Sequence, residues 1–89
     1  MTMMTEAEIL KNIRHFVVKE FLYMRPTFSI GDDDSLMKKG VVDSMGVLEV
    51  LNYLEETYGV RPEDDEITEA HFGTLRAIAR FTLTKTVGA

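Results

Sequence analysis

The sequence contains no cysteine, and only two prolines and six glycines interrupt its 89 residues. Without cysteine the chain has no disulfide, thiolate nucleophile or cysteine metal site, and nothing argues for an oxidising compartment. It also lacks a long uninterrupted hydrophobic run, so neither a signal peptide nor a membrane span is expected. These absences predict an unprocessed, soluble, cytoplasmic protein.

Hydrophobic residues make up 45% of the chain and charged residues 28%, a balance typical of a globular rather than a disordered protein. A chain of this length closes one hydrophobic core, which predicts a single domain over residues 1–89 with an ordered core over about residues 5–86. A catalytic cleft between two domains is therefore excluded. A monomer is expected.

Negative charge is concentrated in one part of the sequence. Residues 43–73 carry nine acidic side chains and only one basic one, Arg61, which gives a net charge of −8 against −5 for the whole chain. The remaining residues therefore carry +3. Such a field repels nucleic acid and anionic membranes and attracts basic protein surfaces. We therefore expect protein partners with basic docking surfaces, no nucleic acid and no membrane insertion.

Hydrophobic periodicity predicts an all-α fold, an antiparallel bundle of three main helices and one short helix. Thr5 and Glu8 form a capping box that begins the first helix, predicted over about residues 6–25. The apolar residues that recur at helical spacing, and so mark its inward face, are Ile9, Ile13, Phe16, Val17, Phe21 and Met24. Residues 26–42 have no sustained period and are predicted to form a long ordered loop with a helical turn around residues 35–38. The predicted apolar anchors of this loop are Phe28, Ile30 and Leu36.

The second helix is predicted to begin at Asp43 or Ser44 and to end at Tyr58, with Gly59 as a left-handed C-cap. Successive residues 100° apart fall into two stripes. The core stripe consists of Val47, Val50, Leu51, Leu54 and Tyr58. The opposite stripe consists of Met45, Leu48, Glu49, Asn52, Glu55 and Glu56. Apolar residues ringed by carboxylates are typical of a docking surface, because the charges orient a basic partner. Tyr53, between the stripes, is either a residue at the edge of the core or a surface contact.

Two further helical segments are predicted near the C-terminus. An acidic segment over residues 65–72 forms one or two turns, with Ile67 and Phe72 as its large apolar anchors. Thr74 then caps the last helix. The inward residues of that helix are predicted to be Leu75, Ile78, Ala79 and either Thr82 or Leu83.

Ser44 lies at the N-terminus of the second helix, where unpaired backbone N–H groups and the positive end of the helix dipole favour an attached anion. A phosphate ester on this serine would be stabilised there. Asp-Ser is also a common pair of helix-capping residues, and the local pattern alone favours that simpler interpretation.

Several segments resemble the acyl and peptidyl carrier proteins in order and spacing, nearly throughout the chain. They are residues 33–36 (Asp-Asp-Ser-Leu), 40–45 (Gly-Val-Val-Asp-Ser-Met), 54–59 (Leu-Glu-Glu-Thr-Tyr-Gly), 67–68 (Ile-Thr) and 72–75 (Phe-Gly-Thr-Leu). The resemblance implies that Ser44, flanked by Asp43 and Met45, receives 4′-phosphopantetheine from coenzyme A through a phosphopantetheinyl transferase. It also implies a non-catalytic carrier of a thioester-bound acyl or aminoacyl group.

In that family the helix after the modified serine is the recognition helix, so the resemblance assigns docking to the stripe from Met45 to Glu56. The implied partners are the transferase, an acyl- or aminoacyl-loading ligase, and acyltransferases or synthases. Met45 replaces the usual leucine, and Gly46 stands where fatty-acid carriers often have an acid. Met45 is a mild change, because methionine keeps an apolar contact, whereas Gly46 removes a charge. These departures and the relatively basic first helix, with Lys11, Arg14, Lys19 and Arg25, favour a stand-alone carrier for a specialised pathway over a housekeeping fatty-acid carrier.

Other sites receive less support from the sequence. Consecutive aspartates at residues 32–34 do not have the alternating ligands of a calcium loop, and His15 and His71 lack identifiable partner ligands. We therefore predict no metal site and no catalytic residue. The alternative function is a non-covalent helical adaptor that uses the same surface without a prosthetic group.

Overall fold

The computed structural model describes residues 5–25 and 29–87, and the regular elements within these ranges are all helical. Four α-helices occur, and a 3₁₀ turn over Asp64–Glu66 precedes the third. The helices are α1 (Glu6–Phe21), α2 (Ser44–Tyr58), α3 (Glu69–Phe72) and α4 (Leu75–Val87). The described residues contain no strand, and the prediction of an all-α bundle with three main helices and one short one is confirmed.

Helix α1 begins as predicted but ends earlier. The Thr5 hydroxyl accepts a hydrogen bond from the backbone N–H of Glu8 at 3.2 Å and caps the first turn. The helix ends at Phe21, so its predicted extension to Arg25 was wrong. Leu22 leaves the helix and packs in the core, whereas Met24, predicted to face inward, is 76% exposed. The proline at position 26 also disfavours helical backbone at the residue before it.

The loop before α2 is anchored as predicted at Ile30 and Leu36, both of which are buried. Leu36 donates its backbone N–H to the carbonyl of Gly73 at 2.8 Å, which joins the loop to the start of α4. The predicted helical turn is present, since the backbone N–H of Lys39 bonds the carbonyl of Ser35 at 3.0 Å. Phe28, the third predicted anchor, lies outside the described residues.

Two arginines clamp the same loop to the bundle. Arg14 of α1 forms an ion pair with Asp32 and donates to the carbonyl of Ile30 at 2.6 Å. Arg76 of α4 pairs with Asp33 at 2.8 Å and approaches Asp32 at 3.6 Å. The loop is therefore held on both sides, by α1 and by α4.

Of the two apolar anchors predicted for the segment before α4, only Phe72 is buried. Ile67 is 37% exposed, so its assignment as an anchor was wrong. Its place in the core is taken by Phe81 of α4, whose ring centroid lies 5.2 Å from that of Phe72. Of Thr82 and Leu83, the two residues predicted as alternatives for the inward face of α4, Thr82 is fully buried and donates its hydroxyl to the carbonyl of Ile78 at 2.7 Å.

The core lies mainly between α1 and α4, which pack closely against one another. Helix α2 contributes the fully buried Val50 and Leu54, and the rest of its predicted core stripe, Val47, Leu51 and Tyr58, packs at the edge of the core. The other helical core residues are Ile9, Ile13, Val17, Phe72, Leu75, Ile78, Ala79 and Phe81. Burial of each large aliphatic side chain contributes about 1.5–3 kcal/mol. This packing gives α2 a fixed inner face and leaves its other face to solvent.

Candidate functional site

Ser44 is the first residue of α2, and the residue before it caps the helix. The Asp43 carboxylate accepts a hydrogen bond from the backbone N–H of Gly46 at 2.7 Å, so Asp43 is the N-cap. Ser44 is exposed, and its hydroxyl makes no hydrogen bond within residues 5–25 and 29–87. The hydroxyl is therefore accessible and is not needed for capping.

The backbone leading to Ser44 is firmly held. Val41 and Val42 are buried, and both donate their N–H groups to the carbonyl of Leu36, at 2.9 and 3.2 Å. Gly40 has a φ of +72°, a left-handed conformation that residues with a β-carbon rarely adopt. Its carbonyl accepts a hydrogen bond from Arg25 at 3.0 Å. An exposed serine thus projects from a rigid support.

A groove of about 500 Å³ lies beside Ser44. Phe21, at the end of α1, forms one wall, and the loop residues Met37 and Gly40–Val42 form the other. The first turns of α2 complete the groove with Met45, Gly46 and Glu49. The attachment candidate is therefore bordered by apolar side chains.

The geometry around Ser44 fits a phosphodiester. The serine oxygen stands at the positive end of a 15-residue helix, where a phosphate is stabilised by the dipole and by unpaired N–H groups. The nearest carboxylate, Asp43, is turned back onto the Gly46 N–H. An anionic group on Ser44 would therefore lie at the helix end with its far side in solvent.

The stripe predicted for docking is exposed along α2. Met45 is 71% exposed and Leu48 57%, and Glu49, Asn52, Glu55 and Glu56 are also exposed. Asn52 donates to Glu56 at 3.4 Å, and Glu55 forms an ion pair with Arg61 at 2.9 Å. The structure thus places all six residues on the solvent side of α2, beginning with Met45 next to Ser44.

Aromatic side chains line the seam between α1 and α2, a feature that the sequence did not reveal. The rings of Phe16 and Tyr53 stack with centroids 4.2 Å apart, and Phe21 and Tyr58 extend the row with edge-on contacts of 6.1 Å each. Burial, with a smaller effect from Tyr58, raises the pKa of Tyr53 to about 12. Tyr53 therefore belongs to the edge of the core. Periodicity placed Phe16 and Phe21 on an inward face but gave no sign of their partners on α2.

None of the helices in the described part of the chain is long and apolar enough to cross a membrane.

A comparison with protein families finds a match over residues 16–82 to the family described as the phosphopantetheine attachment site. The match covers most of the chain, including the end of α1, the loop, all of α2 and most of α4. No curated protein matches the chain significantly.

Proposed function

Because this chain belongs to the phosphopantetheine attachment-site family, whose members carry 4′-phosphopantetheine covalently, we propose that Ser44 is the residue that bears the arm. The single observation that supports this assignment best is the exposed Ser44 hydroxyl, which makes no hydrogen bond in the described part of the chain while Asp43 caps α2. Asp43 and Met45 flank the arm. In this proposal a phosphopantetheinyl transferase directs the Ser44 oxygen to the pantetheine-linked phosphate of coenzyme A. The new O–P bond forms as the pyrophosphate bond breaks, the serine hydroxyl loses its proton, and 3′,5′-ADP leaves.

The function we propose is that of a carrier rather than an enzyme. The arm supplies a thiol, which the chain itself lacks, and this thiol holds an acyl or aminoacyl group as a thioester. The protein's own residues hold the attachment point rigid and present a docking face to other enzymes. Tethering raises the effective concentration of the cargo at each docked enzyme.

The docking face in this proposal is the exposed stripe of α2. Met45 and Leu48 provide apolar contact, and Glu49, Glu55 and Glu56, with Asn52 between them, orient basic side chains of the partner. Phosphopantetheinyl transferases and biosynthetic enzymes are general partners of carrier domains. For this chain we propose the transferase, a loading ligase, and acyltransferases or synthases with basic surfaces, and we place the reactions in the cytoplasm.

Mass spectrometry tests the assignment of Ser44. Incubation with coenzyme A and a promiscuous phosphopantetheinyl transferase is expected to raise the protein mass by one phosphopantetheinyl group, and Ser44→Ala is expected to abolish the gain. Ser35→Ala is the matched control, because the Ser35 hydroxyl is exposed to solvent only in part and bonds Glu69 at 3.3 Å. Absence of a mass gain in the wild type, or its persistence in Ser44→Ala, contradicts the proposal.

A non-covalent adaptor is the second candidate function. It is favoured by the exposure of Met45 and Leu48, which form an apolar surface whether or not an arm is attached. An adaptor would bind its partners equally well when Ser44 is replaced by alanine and would gain no mass with the transferase.

A further inference from the structure

A second hollow, of about 400 Å³, opens on the seam between α1 and α2, and we call it the seam hollow. Phe16 and Tyr53 line it together with Leu48, Glu20 of α1, and Glu49, Asn52 and Glu56 of α2. We propose that the seam hollow receives the cargo at the end of the arm on Ser44, and that this cargo is an α-aminoacyl group with an apolar side chain. The inference rests on the proposed attachment of the arm to Ser44.

The charges of the seam hollow favour a cation. Glu20 and Glu49 form no ion pair or side-chain hydrogen bond within the described residues, and Glu56 is contacted only by the neutral Asn52. Among the described residues, no basic side chain lines this hollow. Lys19 and His15 line an adjoining hollow, which shares Phe16, Glu20 and Tyr53 with it. An ammonium group is therefore attracted to the seam hollow, whereas a carboxylate is repelled.

The hollow also offers apolar and aromatic contact. Phe16 and Tyr53, whose stacked rings have centroids 4.2 Å apart, both line the hollow, and Leu48 is 57% exposed beside them. The Tyr53 hydroxyl, with its pKa raised to about 12, is uncharged at neutral pH, as that of an unperturbed tyrosine also is. A neutral aromatic ring near an ammonium contributes a cation–π attraction of about 0.5–1 kcal/mol at an exposed site. This combination matches an apolar side chain next to a protonated amine better than a plain fatty chain.

The position of the hollow suits a group tethered to Ser44. Leu48 lies one helical turn after Ser44 on the same side of α2, and Glu49 lines both the groove beside Ser44 and the seam hollow. From Ser44 to Tyr53 the helix rises about 14 Å and makes about two and a half turns, so Tyr53 lies on the opposite side of α2 from Ser44. The arm therefore has to cross the face of α2 past Glu49 to reach the seam hollow.

The small size of the hollow favours a tethered group as its occupant in the free carrier, although four of the α2 residues that line it also belong to the proposed docking face. A flexible short tether gives its end group an effective concentration on the order of millimolar, so a weak site is still occupied. A separate protein typically needs about 800 Å² of buried surface on each side. A hollow of about 400 Å³ matches a single small organic group instead.

The test compares two cargoes on the intact chain. The transferase loads Ser44 with a phenylalanyl arm, joined through an amide for stability, or with the same arm bearing a phenylpropionyl group, which lacks the amine. Mass spectrometry first verifies complete loading. NMR then measures the backbone amide shifts of Phe16, Glu20 and Tyr53 and the pKa of the cargo amine. We expect shifts at these amides with the phenylalanyl arm only, and an amine pKa about one unit above that of free phenylalanyl-pantetheine.

Two double variants identify the groups responsible. Glu20→Gln with Glu49→Gln is expected to remove most of the rise in the amine pKa. Glu8→Gln with Asp65→Asn removes two negative charges from exposed positions outside the hollow and is expected to leave most of the rise in place.

Three outcomes overturn the inference: equal amide shifts with both cargoes, no rise in the amine pKa, or equal effects of the two double variants. If the arm is loaded but neither the amide shifts nor the amine pKa changes, the inference about the seam hollow is overturned and the proposed function of Ser44 is not. A failure to load any arm on Ser44 instead overturns the proposed function.

Discussion

At the N-terminus of α2, the capping residue and the proposed attachment residue are adjacent. Asp43 accepts the Gly46 N–H, a bond that typically stabilises a helix by about 1 kcal/mol. Ser44, also a good capping residue, is released from that role and remains exposed. The sequence could not choose between Asp43 and Ser44 as the cap, because both side chains are favoured there. The choice is made by the backbone, which places Asp43 in an extended conformation with φ −105° and ψ −173°.

Gly46 has a packing role that the sequence did not show. A β-carbon built on this residue would lie 3.0 Å from Phe21 and 3.0 Å from Val42. Phe21 borders an open groove and has room to shift, but Val42 is 4% exposed and is held by its N–H bond to Leu36. The absence of a side chain therefore lets the first turn of α2 sit close to the loop and to the end of α1.

We expect Gly46→Ala to lower the free energy of unfolding by about 1 kcal/mol. Alanine gains about 1 kcal/mol of helix propensity, and overpacking against Val42 costs about 1–3 kcal/mol. Urea denaturation measures the difference, and Met45→Ala, at an exposed position of the same turn, is the control expected to be near neutral. An increase in the stability of Gly46→Ala would show that the Val42 side chain moves aside to accommodate the added methyl group at little cost.

At the scale of whole elements, the loop before α2 depends on ion pairs as well as on apolar anchors. The aspartates at positions 32–34 lacked the pattern of a metal loop, and the structure shows how they are used. Asp32 and Asp33 pair with Arg14 and Arg76, and Asp34 accepts the backbone N–H of Gly31 at 2.7 Å. The loop is thereby fixed to α1 and α4 before it reaches Ser44.

Asp32→Asn is expected to lower the free energy of unfolding by about 1 kcal/mol and to loosen the loop selectively. The expected loss of stability is small because the side chains of Asp32 and its partners are about one-third exposed, and solvent screens their ion pairs. Hydrogen exchange should show faster exchange at the amides of Leu36 and Val41, with little change in the core of α1. Asp65→Asn, at an exposed position without a side-chain partner in the described residues, is the control. An unchanged exchange rate at the Leu36 amide would mean that the apolar anchors hold the loop in place without the ion pairs of Asp32.

Helix positions were predictable where local chemistry decides them. The Thr5 cap and the Gly59 C-cap, with its φ of +70°, were both readable from the sequence. The end of α1 was not, because Leu22 leaves the helix to fill the core, and that core depends on α4. The prediction of Ile67 as an apolar anchor was wrong for the same reason, because Phe72 packs against Phe81, which belongs to another helix. Exposure of the α2 stripe followed from periodicity, but the seam hollow depends on how α1 and α2 meet.

For the molecule as a whole, uneven charge is the property most relevant to partner binding. Residues 43–73 carry −8 while the rest of the chain carries +3. The basic side chains of α4 are paired with acids, as in Arg80 with Glu6 at 3.1 Å and Lys85 with Glu66 at 2.8 Å. Glu49 has no such partner in the described part of the chain. The negative field beside Ser44 is therefore less neutralised than the positive charge of α4.

Glu49→Lys is expected to slow association with a basic phosphopantetheinyl transferase about tenfold at low ionic strength, because it reverses one charge of the docking face. Glu8→Lys makes the same change in net charge on α1, away from the α2 stripe, and should slow association much less. Stopped-flow measurements at about 0.1 M and 1 M salt separate the long-range electrostatic steering of the transferase from its direct contacts with α2. The Debye length falls from about 10 Å to about 3 Å between these two concentrations. The difference between the variants should shrink at high salt. Equal slowing by both substitutions would show that total charge, rather than the α2 face, governs the encounter.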